Sequence, residues 1–330
     1  MEELKKFLEQ AVKAKASDLH LVAGAVAMVR VHREIKPLGT EVLTGASVQR
    51  VVNALLTQNQ LKELVEVGDV DVGSRMGDVN IRVNIHQQAN GYGLAIRLVP
   101  SQIPTPEALR FEKPLLDIVN LSAGFVVISG PTGSGKSTTM ACLIQTINTH
   151  HARLIVTLED PIEYRFKNEK SLIEQRQMGT NFPSFQQGLR HVLRQDPDVI
   201  VVGEMRDPET ISLALTAAET GHLVISTLHA PNAAEVIERI VNVFEGSSQQ
   251  QILVQLSATL HTVVAQHLLS AKAGGVIAAR EILLNNLAVQ HAIRSNNLST
   301  IRSAIQTGKK QGMISMAQST KSLKEEGFIL

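Results

Sequence analysis

The sequence contains little of several residue types on which particular classes of protein depend. Its single cysteine, Cys142, excludes an internal disulfide framework and any site that needs several thiolate ligands. Tryptophan is absent and aromatic residues make up 3%, which leaves few side chains for the base stacking used by single-strand nucleic-acid binders. The net charge is only +1, so the chain as a whole does not attract a nucleic acid or an anionic membrane.

Long apolar runs are also missing. The longest, such as Asp198–Gly203, fall far short of the ~20 residues that span a bilayer. The first ten residues, MEELKKFLEQ, are charged rather than signal-like. We therefore expect a cytoplasmic protein that contacts a membrane only through a partner. A hydrophobic content of 44% in 330 residues is typical of a globular chain with about two domains.

The first hundred residues combine one helical pattern with several strand patterns. Apolar residues recur at helical spacing over 1–16, and period-two segments typical of strands follow. The sequence therefore predicts an α+β domain over 1–99. Four prolines then predict an interdomain linker over 100–114. The period-two segments are 17–32, 69–73, 79–88 and 93–99.

From Phe125 the pattern changes to short runs that are apolar throughout, separated by helical stretches. Such runs are typical of strands in a parallel sheet that is covered on both faces, and the intervening helices supply the covers. We therefore predict an α/β domain over 115–330. After about residue 245 the spacing of apolar residues indicates helices, so we expect its C-terminal part to be helical.

A glycine-rich segment joins a predicted strand to a predicted helix. Gly130, Gly135, Lys136 and Ser137 fit the pattern G-x-x-x-x-G-K-[ST] in the structural context that this pattern requires. Glycines let backbone N–H groups face phosphate oxygens, the lysine neutralises the β- and γ-phosphates, and the serine can ligate Mg²⁺. The sequence therefore predicts a nucleotide site. Its predicted members are Gly130, Pro131, Thr132, Gly133, Ser134, Gly135, Lys136, Ser137 and Thr138.

Acidic residues follow two further predicted strands. Glu204 ends an apolar run, where a Walker-B carboxylate would face the nucleotide and orient or deprotonate the attacking water. The alternative is a surface glutamate after a strand. Glu159, Asp160 and Glu163 lie within five positions and supply enough acid to hold Mg²⁺ or its waters. Taken alone, a cluster of this kind is more typical of a solvated loop.

Two histidines bracket the next predicted strand. The helix before it has Asp207 as a candidate N-cap, Pro208 at its first position and Gly221 just past its end. These signals for the start and end of the helix place His222 at the start of the strand and His229 at its end. An isolated histidine is usually structural, but a pair beside phosphate-facing strand ends could sense the γ-phosphate.

Four segments of the sequence together resemble the motifs of one known family. GPTGSGKSTT, TLEDPIEY, DPDVIVVGEMRDPET and TGHLVISTLHA, in this order, resemble the Walker A, Asp box, Walker B and His box of the secretion ATPases that power type II secretion and type IV pili. The likeness extends to ASDLHL and RVNIHQQ before them and to AIRSNN and SAIQTGKKQGMISMAQS after them. It implies a homo-hexameric ring that hydrolyses Mg²⁺·ATP between subunits, each with a PAS-like N-terminal and a RecA-like P-loop ATPase domain.

The resemblance also implies roles for individual residues. Arginines of the N-terminal domain reach the phosphates in that family, and Arg82 and Arg97 match those positions. Their guanidinium groups could neutralise transition-state charge, although exposed strand arginines are the alternative. Glu163 would support the metal and the attacking water, while His222 and His229 would report the γ-phosphate state to the neighbouring subunit. The C-terminal element reads AIRS here, where the family commonly has AIRE.

The resemblance is strongest to the pilus retraction motors of this family. It implies a motor that extracts pilins at the fibre base during twitching motility, in contact with an inner-membrane platform protein and with no nucleic acid. Assembly and secretion ATPases usually add an N-terminal docking domain and a four-cysteine zinc site, although competence-type assembly ATPases can be short. A RecA-like ring that moves along DNA and a non-catalytic P-loop regulator are further alternatives. The presence of Lys136, Ser137 and Glu204 argues against the regulator.

Overall fold

A computed structural model describes residues 2–31, 34–76, 79–99 and 102–330. Contacts between residues divide the chain into two compact units, Met1–Gln102 with Pro161–Arg165, and Ile103–Asp160 with Phe166–Leu330. The predicted fold class is confirmed, because an α+β unit precedes a unit built on a mainly parallel sheet. The domain bounds 1–99, 100–114 and 115–330 stay predictions, and residues 100 and 101 of the predicted linker lie outside the described residues.

In the described residues of the first unit, six strands form an antiparallel sheet in the order β3-β2-β1-β6-β5-β4, together with three helices. Its helices are α1 (Glu2–Lys13), α2 (Gly45–Leu55) and α3 (Gln58–Val67). Its strands are β1 (Asp18–Val22), β2 (Val26–Val31), β3 (Glu34–Val42), β4 (Asp69–Met76), β5 (Val79–Gln88) and β6 (Gly91–Val99).

Alternation along these strands gives the sheet one apolar and one polar face. Leu19 and Leu21 of β1 are buried and pack in the same core as Leu8 of α1 and Leu64 of α3. The residues that alternate with them along β1, such as Asp18, point to the opposite face. That face therefore carries charged side chains of the strands.

The second unit contains nine further α-helices and seven strands among the described residues. Its helices are α4 (Lys113–Ile118), α5 (Lys136–His150), α6 (Phe185–Val192), α7 (Pro208–Glu219), α8 (Ala233–Asn242), α9 (Ser247–Thr259), α10 (Leu287–Arg294), α11 (Leu298–Thr307) and α12 (Met316–Glu325). Its strands are β7 (Gly124–Ser129), β8 (Leu154–Glu159), β9 (Leu172–Gln177), β10 (Val199–Val202), β11 (Leu223–Leu228), β12 (Leu260–Ser270) and β13 (Val276–Leu284). Over the described part of the chain, no helix is both long and apolar enough to cross a bilayer.

The seven strands form one sheet in the order β13-β12-β7-β11-β10-β8-β9. Neighbouring strands are parallel except for the antiparallel pair β12 and β13. Helices α4 and α5 contribute to the core on one face, and helices α6 to α11 contribute to the core on the other. Because both faces are covered, the central strands β10 and β11 are buried along their whole length. The carboxyl ends of the parallel strands consequently meet at one edge of the sheet.

One expectation about the chain needs correction. The helical C-terminal part was expected to begin after about residue 245, but 260–270 and 276–284 form β12 and β13. Short apolar runs such as Val263–Ala265 are compatible with a buried strand as well as with a helix. Here they form a strand because β12 pairs with β7. Helix α4 also begins inside the predicted linker. Pro114 is tolerated there because it occupies one of the first two helical positions, where its missing N–H has no helical partner to lose.

Candidate functional site

The glycine-rich segment forms a loop between β7 and α5, as the sequence predicts. Gly130, Gly133 and Gly135 have φ angles of 142°, 77° and 85°, a region that other residues rarely adopt. A Cβ atom on Gly130 would lie 2.2 Å from the carbonyl oxygen of Gln266. These positions therefore require glycine for backbone reasons. The nine residues predicted to bind ATP, 130–138, are this loop and the first turn of α5.

Lys136 places its ammonium group inside the loop. Its Nζ donates to the carbonyl oxygens of Gly130 at 2.9 Å and of Pro131 at 3.1 Å. It also donates to Nδ1 of His229 at 3.4 Å. The side chain is buried, so its cation acts in a site of reduced solvent screening. The structure therefore brings together Lys136 and His229, two of the predicted site residues.

Ser129, the last residue of β7, is hydrogen-bonded to the loop that contains His229, between β11 and α8. Its hydroxyl donates to the carbonyl oxygen of Ala230 at 2.7 Å and accepts from the N–H of the same residue at 2.9 Å. Ser129 is fully buried, so these bonds fix the loop rigidly. Sequence reasoning missed this residue, although a hydroxyl at the end of the apolar run FVVIS was a usable signal.

Glu204 lies at the same edge of the sheet. It follows β10, whose last residue Val202 pairs with Ser226 of β11, so the carboxylate is level with the end of β11. Arg206 pairs with it at 2.9 Å between Nη2 and Oε2. The arginine side chain is 77% exposed, so this ion pair contributes at most about 1 kcal/mol and breaks easily.

A cavity of about 590 Å³ opens beside this carboxylate. Glu204, Arg206, His229 and Arg239 are among the residues that line it. Burial lowers the pKa of His229, and the nearby Lys136 ammonium lowers it further, while the Glu204 carboxylate opposes both. The ring is therefore neutral near pH 7, with Nδ1 as an acceptor. A base, a neutral imidazole and a cation thus lie together at one sheet edge.

His222 lies at the other end of the same strand. Its backbone carbonyl accepts from the N–H of Gly124, the first residue of β7, so it is at the edge opposite the P-loop. His229 follows seven residues later, so a rise of roughly 3.3 Å per residue separates the two histidines by about 23 Å. Its Nδ1 donates to the carbonyl oxygen of Ala217 at 2.9 Å and so caps α7. The expectation that both histidines lie beside the phosphate-facing strand ends is therefore wrong for His222.

The acidic cluster after β8 is divided between the two units. Oε1 of Glu159 accepts from Oγ1 of Thr157 at 2.6 Å and from Nε2 of Gln175 at 3.1 Å. Asp160 closes this part of the second unit, whereas Glu163 belongs to the segment 161–165 of the first. In the described residues no three His, Cys, Asp or Glu side chains form a metal-binding group. The cluster is therefore not a preassembled metal cage, and its roles stay predictions.

Oxygen donors suited to Mg²⁺ are nevertheless present at the P-loop. Ser137 is the second residue of α5, adjacent to Lys136, and carries its hydroxyl at the positive end of the helix. Mg²⁺ in such sites is held by one or two protein oxygens together with phosphate oxygens and water. The hydroxyl of Ser137 is a donor of that kind.

The two predicted arginines lie side by side in the first unit. Arg82 of β5 and Arg97 of β6 are direct cross-strand partners. Nε of Arg97 is 3.1 Å from Oδ1 of Asp18, and Nη2 of Arg82 is 3.8 Å from Oδ2 of Asp71. Each acid offsets the repulsion expected between like charges placed directly opposite. The role of the two arginines in phosphate binding stays a prediction.

Comparisons with known proteins agree with this geometry. Residues 1–309 match the family described as type II/IV secretion system protein. The chain is 38% identical to the type IV pilus retraction ATPase PilT of Pseudomonas aeruginosa, over 99% of this chain and 95% of that protein. It is 41% identical to a twitching motility protein of Neisseria gonorrhoeae, over 93% of this chain and 83% of that protein. A crystal structure of the pilus retraction motor PilT with bound ADP superposes with a TM-score of 0.90 at 38% identity, covering 99% of this chain and 94% of that one.

Proposed function

The chain belongs to the type II/IV secretion system protein family, and on this premise we propose that it is a pilus retraction ATPase. It hydrolyses ATP and uses the energy to withdraw pilins at the base of a type IV pilus. The observation that supports this most directly is the P-loop, which meets Glu204 and His229 at one edge of the sheet. The similarity to PilT over nearly the whole chain supports retraction within the family.

The P-loop residues account for nucleotide binding. The loop N–H groups and the N-terminus of α5 favour the negative charge of the phosphates. Lys136 transfers its hydrogen bonds from the carbonyls of Gly130 and Pro131 to phosphate oxygens. Ser137 supplies one oxygen to Mg²⁺, which when bound neutralises charge on the phosphates. Glu159, Asp160 and Glu163 are proposed to hold the outer waters of the metal.

Glu204 is the proposed base for hydrolysis. Its carboxylate is bound by an exposed arginine at little energetic cost, so it is free to turn toward a water beside the γ-phosphate. The neutral Nδ1 of His229 accepts from Lys136, which places the ring where it responds when the lysine changes partner. His229 therefore acts as the proposed sensor of the γ-phosphate. His222, at the opposite edge, is proposed to act only toward a neighbouring subunit.

We propose a homo-hexamer in which Arg82 and Arg97 deliver positive charge to the phosphates. Their weak pairing with Asp71 and Asp18 leaves the guanidinium groups available when a nucleotide offers stronger partners. The motor would act in the cytoplasm, peripheral to the inner membrane, through a platform protein of the pilus base. Nucleic acid is not an expected partner, so single-stranded DNA should leave the ATPase rate unchanged.

Purified variants test the chemistry. Lys136→Ala should abolish binding of fluorescent ADP with Mg²⁺, whereas Lys170→Ala, on the surface, should bind like the wild type. Glu204→Gln should retain binding and lower kcat by about 10²–10⁴-fold, the usual contribution of a general base. Glu219→Gln removes a carboxylate at the far end of α7 and is the matched control, which should keep the wild-type kcat. Wild-type turnover in the Glu204→Gln variant would remove Glu204 from the mechanism.

Arg97→Ala tests the contribution of the first unit. Because the guanidinium is proposed to act on transition-state charge, kcat should fall more than nucleotide affinity. Arg30→Ala is the matched control, since Arg30 lies on the same sheet and also faces Asp18, at 3.9 Å. Equal turnover in the two variants would exclude Arg97 from the site.

A gene deletion distinguishes retraction from pilus assembly. Cells without a retraction motor should carry excess fibres and fail to twitch, and the Glu204→Gln gene should not restore movement. Bald cells would instead indicate an assembly ATPase of the same family.

A further inference from the structure

Arg280 has the largest fully buried side chain of the described residues, and the mechanism above does not use it. It lies on β13 and its Nε donates to Oε1 of Gln266 at 3.0 Å. The rest of the guanidinium donates to the carbonyl oxygen of Leu109 at 3.0 Å and to Oε2 of Glu112 at 3.1 Å, with a longer contact of 3.4 Å to the carbonyl oxygen of Arg110. Four donor contacts are thus directed at two separate parts of the chain.

Gln266 is the cross-strand partner of Arg280 and contacts the nucleotide loop directly. Its Nε2 donates to the carbonyl oxygen of Ser134, inside the loop, at 2.5 Å. Its Oε1 accepts from Oγ1 of Thr139 in α5 at 2.8 Å, in addition to Nε of Arg280. The side chain is buried, so its amide has no water to replace these partners. Gln266 therefore senses the position of the Ser134 peptide group.

The other partner of Arg280 is the segment 109–112, which follows the first unit in the chain. Arg110 has a φ of 52°, which is unusual for a residue with a side chain. Its guanidinium pairs with Glu326 and lies 3.9 Å from the centre of the Phe328 ring. The segment is therefore held in one conformation from several sides, and Arg280 supplies the buried contact.

Core packing alone does not explain this arrangement. An aliphatic side chain would fill the same space without the cost of burying a charge, which burial of Arg280 incurs and Glu112 offsets. A lysine has three donors without a planar fork and could not reach Gln266, Leu109 and Glu112 together. The guanidinium specifically links the loop carbonyl of Ser134, through Gln266, to the backbone at 109–112.

We propose that Gln266 and Arg280 are positioning residues that couple the nucleotide loop to the segment 109–112, so that phosphate binding at the loop changes the mobility of that segment. The inference rests on the proposed function, because it needs a nucleotide at the P-loop. When Lys136 leaves the Gly130 and Pro131 carbonyls for a phosphate, the Ser134 peptide group shifts with the loop. Gln266 and Arg280 then transmit this shift, since each of them bonds both neighbours in the path.

Hydrogen exchange of the full-length protein with and without Mg²⁺·ADP tests the coupling. In the wild type, ADP should change the exchange rates of the 109–112 amides by about fivefold or more, the lower range of ordinary coupling between sites. Arg280→Lys and Gln266→Met should each abolish this ADP response while retaining ADP binding. The double variant should show no further loss, because both residues act in one path.

Arg153→Lys is the matched control. Arg153 also donates to a backbone carbonyl of this unit, that of Leu121 at 2.7 Å, but it lies at the start of β8. It should keep the full ADP response. A purely structural role for Arg280 would raise exchange equally with and without ADP and leave their ratio unchanged.

The outcomes separate the two proposals. If the wild type binds no Mg²⁺·ADP, the proposed function itself fails. If it binds ADP but the 109–112 amides do not respond, or if a folded Arg280→Lys or Gln266→Met variant responds like the wild type, the coupling is refuted. Should Arg280→Lys not fold, the Gln266→Met variant decides alone.

Discussion

Replacing Gly130 by alanine tests whether the close approach between the P-loop and β12 shapes the nucleotide site. The φ of Gly130 is 142°. An added Cβ would lie 2.2 Å from the carbonyl oxygen of Gln266 and 2.6 Å from Oγ of Ser134. Because the carbonyl belongs to a strand inside the sheet, relief of the clash requires movement of backbone rather than rotation of a side chain.

Gly133 supplies the matched control in the same loop. Its φ is 77°, and an added Cβ would meet nothing within 4 Å. Gly133→Ala therefore suffers only backbone strain, which costs about 1–2 kcal/mol. Gly130→Ala adds overpacking of about 1–3 kcal/mol, so its total loss of unfolding free energy should reach about 2–5 kcal/mol.

Urea unfolding followed by circular dichroism, without nucleotide, measures this difference. We expect Gly130→Ala to unfold at a clearly lower urea concentration than Gly133→Ala, with a similar m-value. If the loop is displaced, the Kd for fluorescent ADP should rise about tenfold for each 1.4 kcal/mol of lost binding free energy. Equal unfolding midpoints for the two variants would show that the contact with β12 does not constrain the loop.

Three further predictions concern residues that hold this edge of the sheet. Ser129→Ala should lose about 1–3 kcal/mol of unfolding free energy, because it leaves the buried N–H and carbonyl of Ala230 short of partners; an unchanged urea midpoint would contradict this. Asp207→Ala should lose about 1 kcal/mol, since Asp207 caps α7 through the N–H of Thr210, whereas Asp207→Asn should lose much less. Burial lowers the pKa of His229 below 6.5, so the unfolded chain binds more protons below that pH and wild-type stability falls there; His229→Asn should fall less steeply between pH 6.5 and 5.5.

The chemistry of the P-loop could be predicted from the sequence because local backbone requirements dictate it. Positive φ angles select the glycines, and the pattern fixes the spacing to Lys136. Glu204 was equally predictable, since a parallel strand ends at the edge where the loop lies. The start of α7 is also set by local residues, and the structure confirms Asp207 as its N-cap and Pro208 as its first residue.

Residues whose position depends on strand direction or on distant pairing were harder to predict. His222 and His229 look equivalent as a bracket around one strand, but only its carboxyl end faces the P-loop. The strands β12 and β13 were missed because their apolar runs also suit a helix, and pairing with β7 decides between the two.

The buried polar residues behind the loop were the largest omission. Gln266 and Arg280 are separated from Ser134 by more than 130 residues of chain, so no local spacing rule relates them. The signal that could have found them is a polar residue inside an apolar strand, as in TVVAQHLL and VIAAREILL. Such a residue needs a buried partner, but the sequence does not show which one.

The position of Cys142 has a practical consequence for following the motor at work. Its thiol, in α5, is 1% exposed, and burial raises its pKa to about 12. Maleimide dyes attack thiolates and should leave it unmodified in the folded protein. A cysteine introduced at an exposed position such as Leu287, which is 81% exposed, would then be the single labelling site. A fluorophore could be attached there while the native residue stays in place, and changes in its emission could be recorded during turnover.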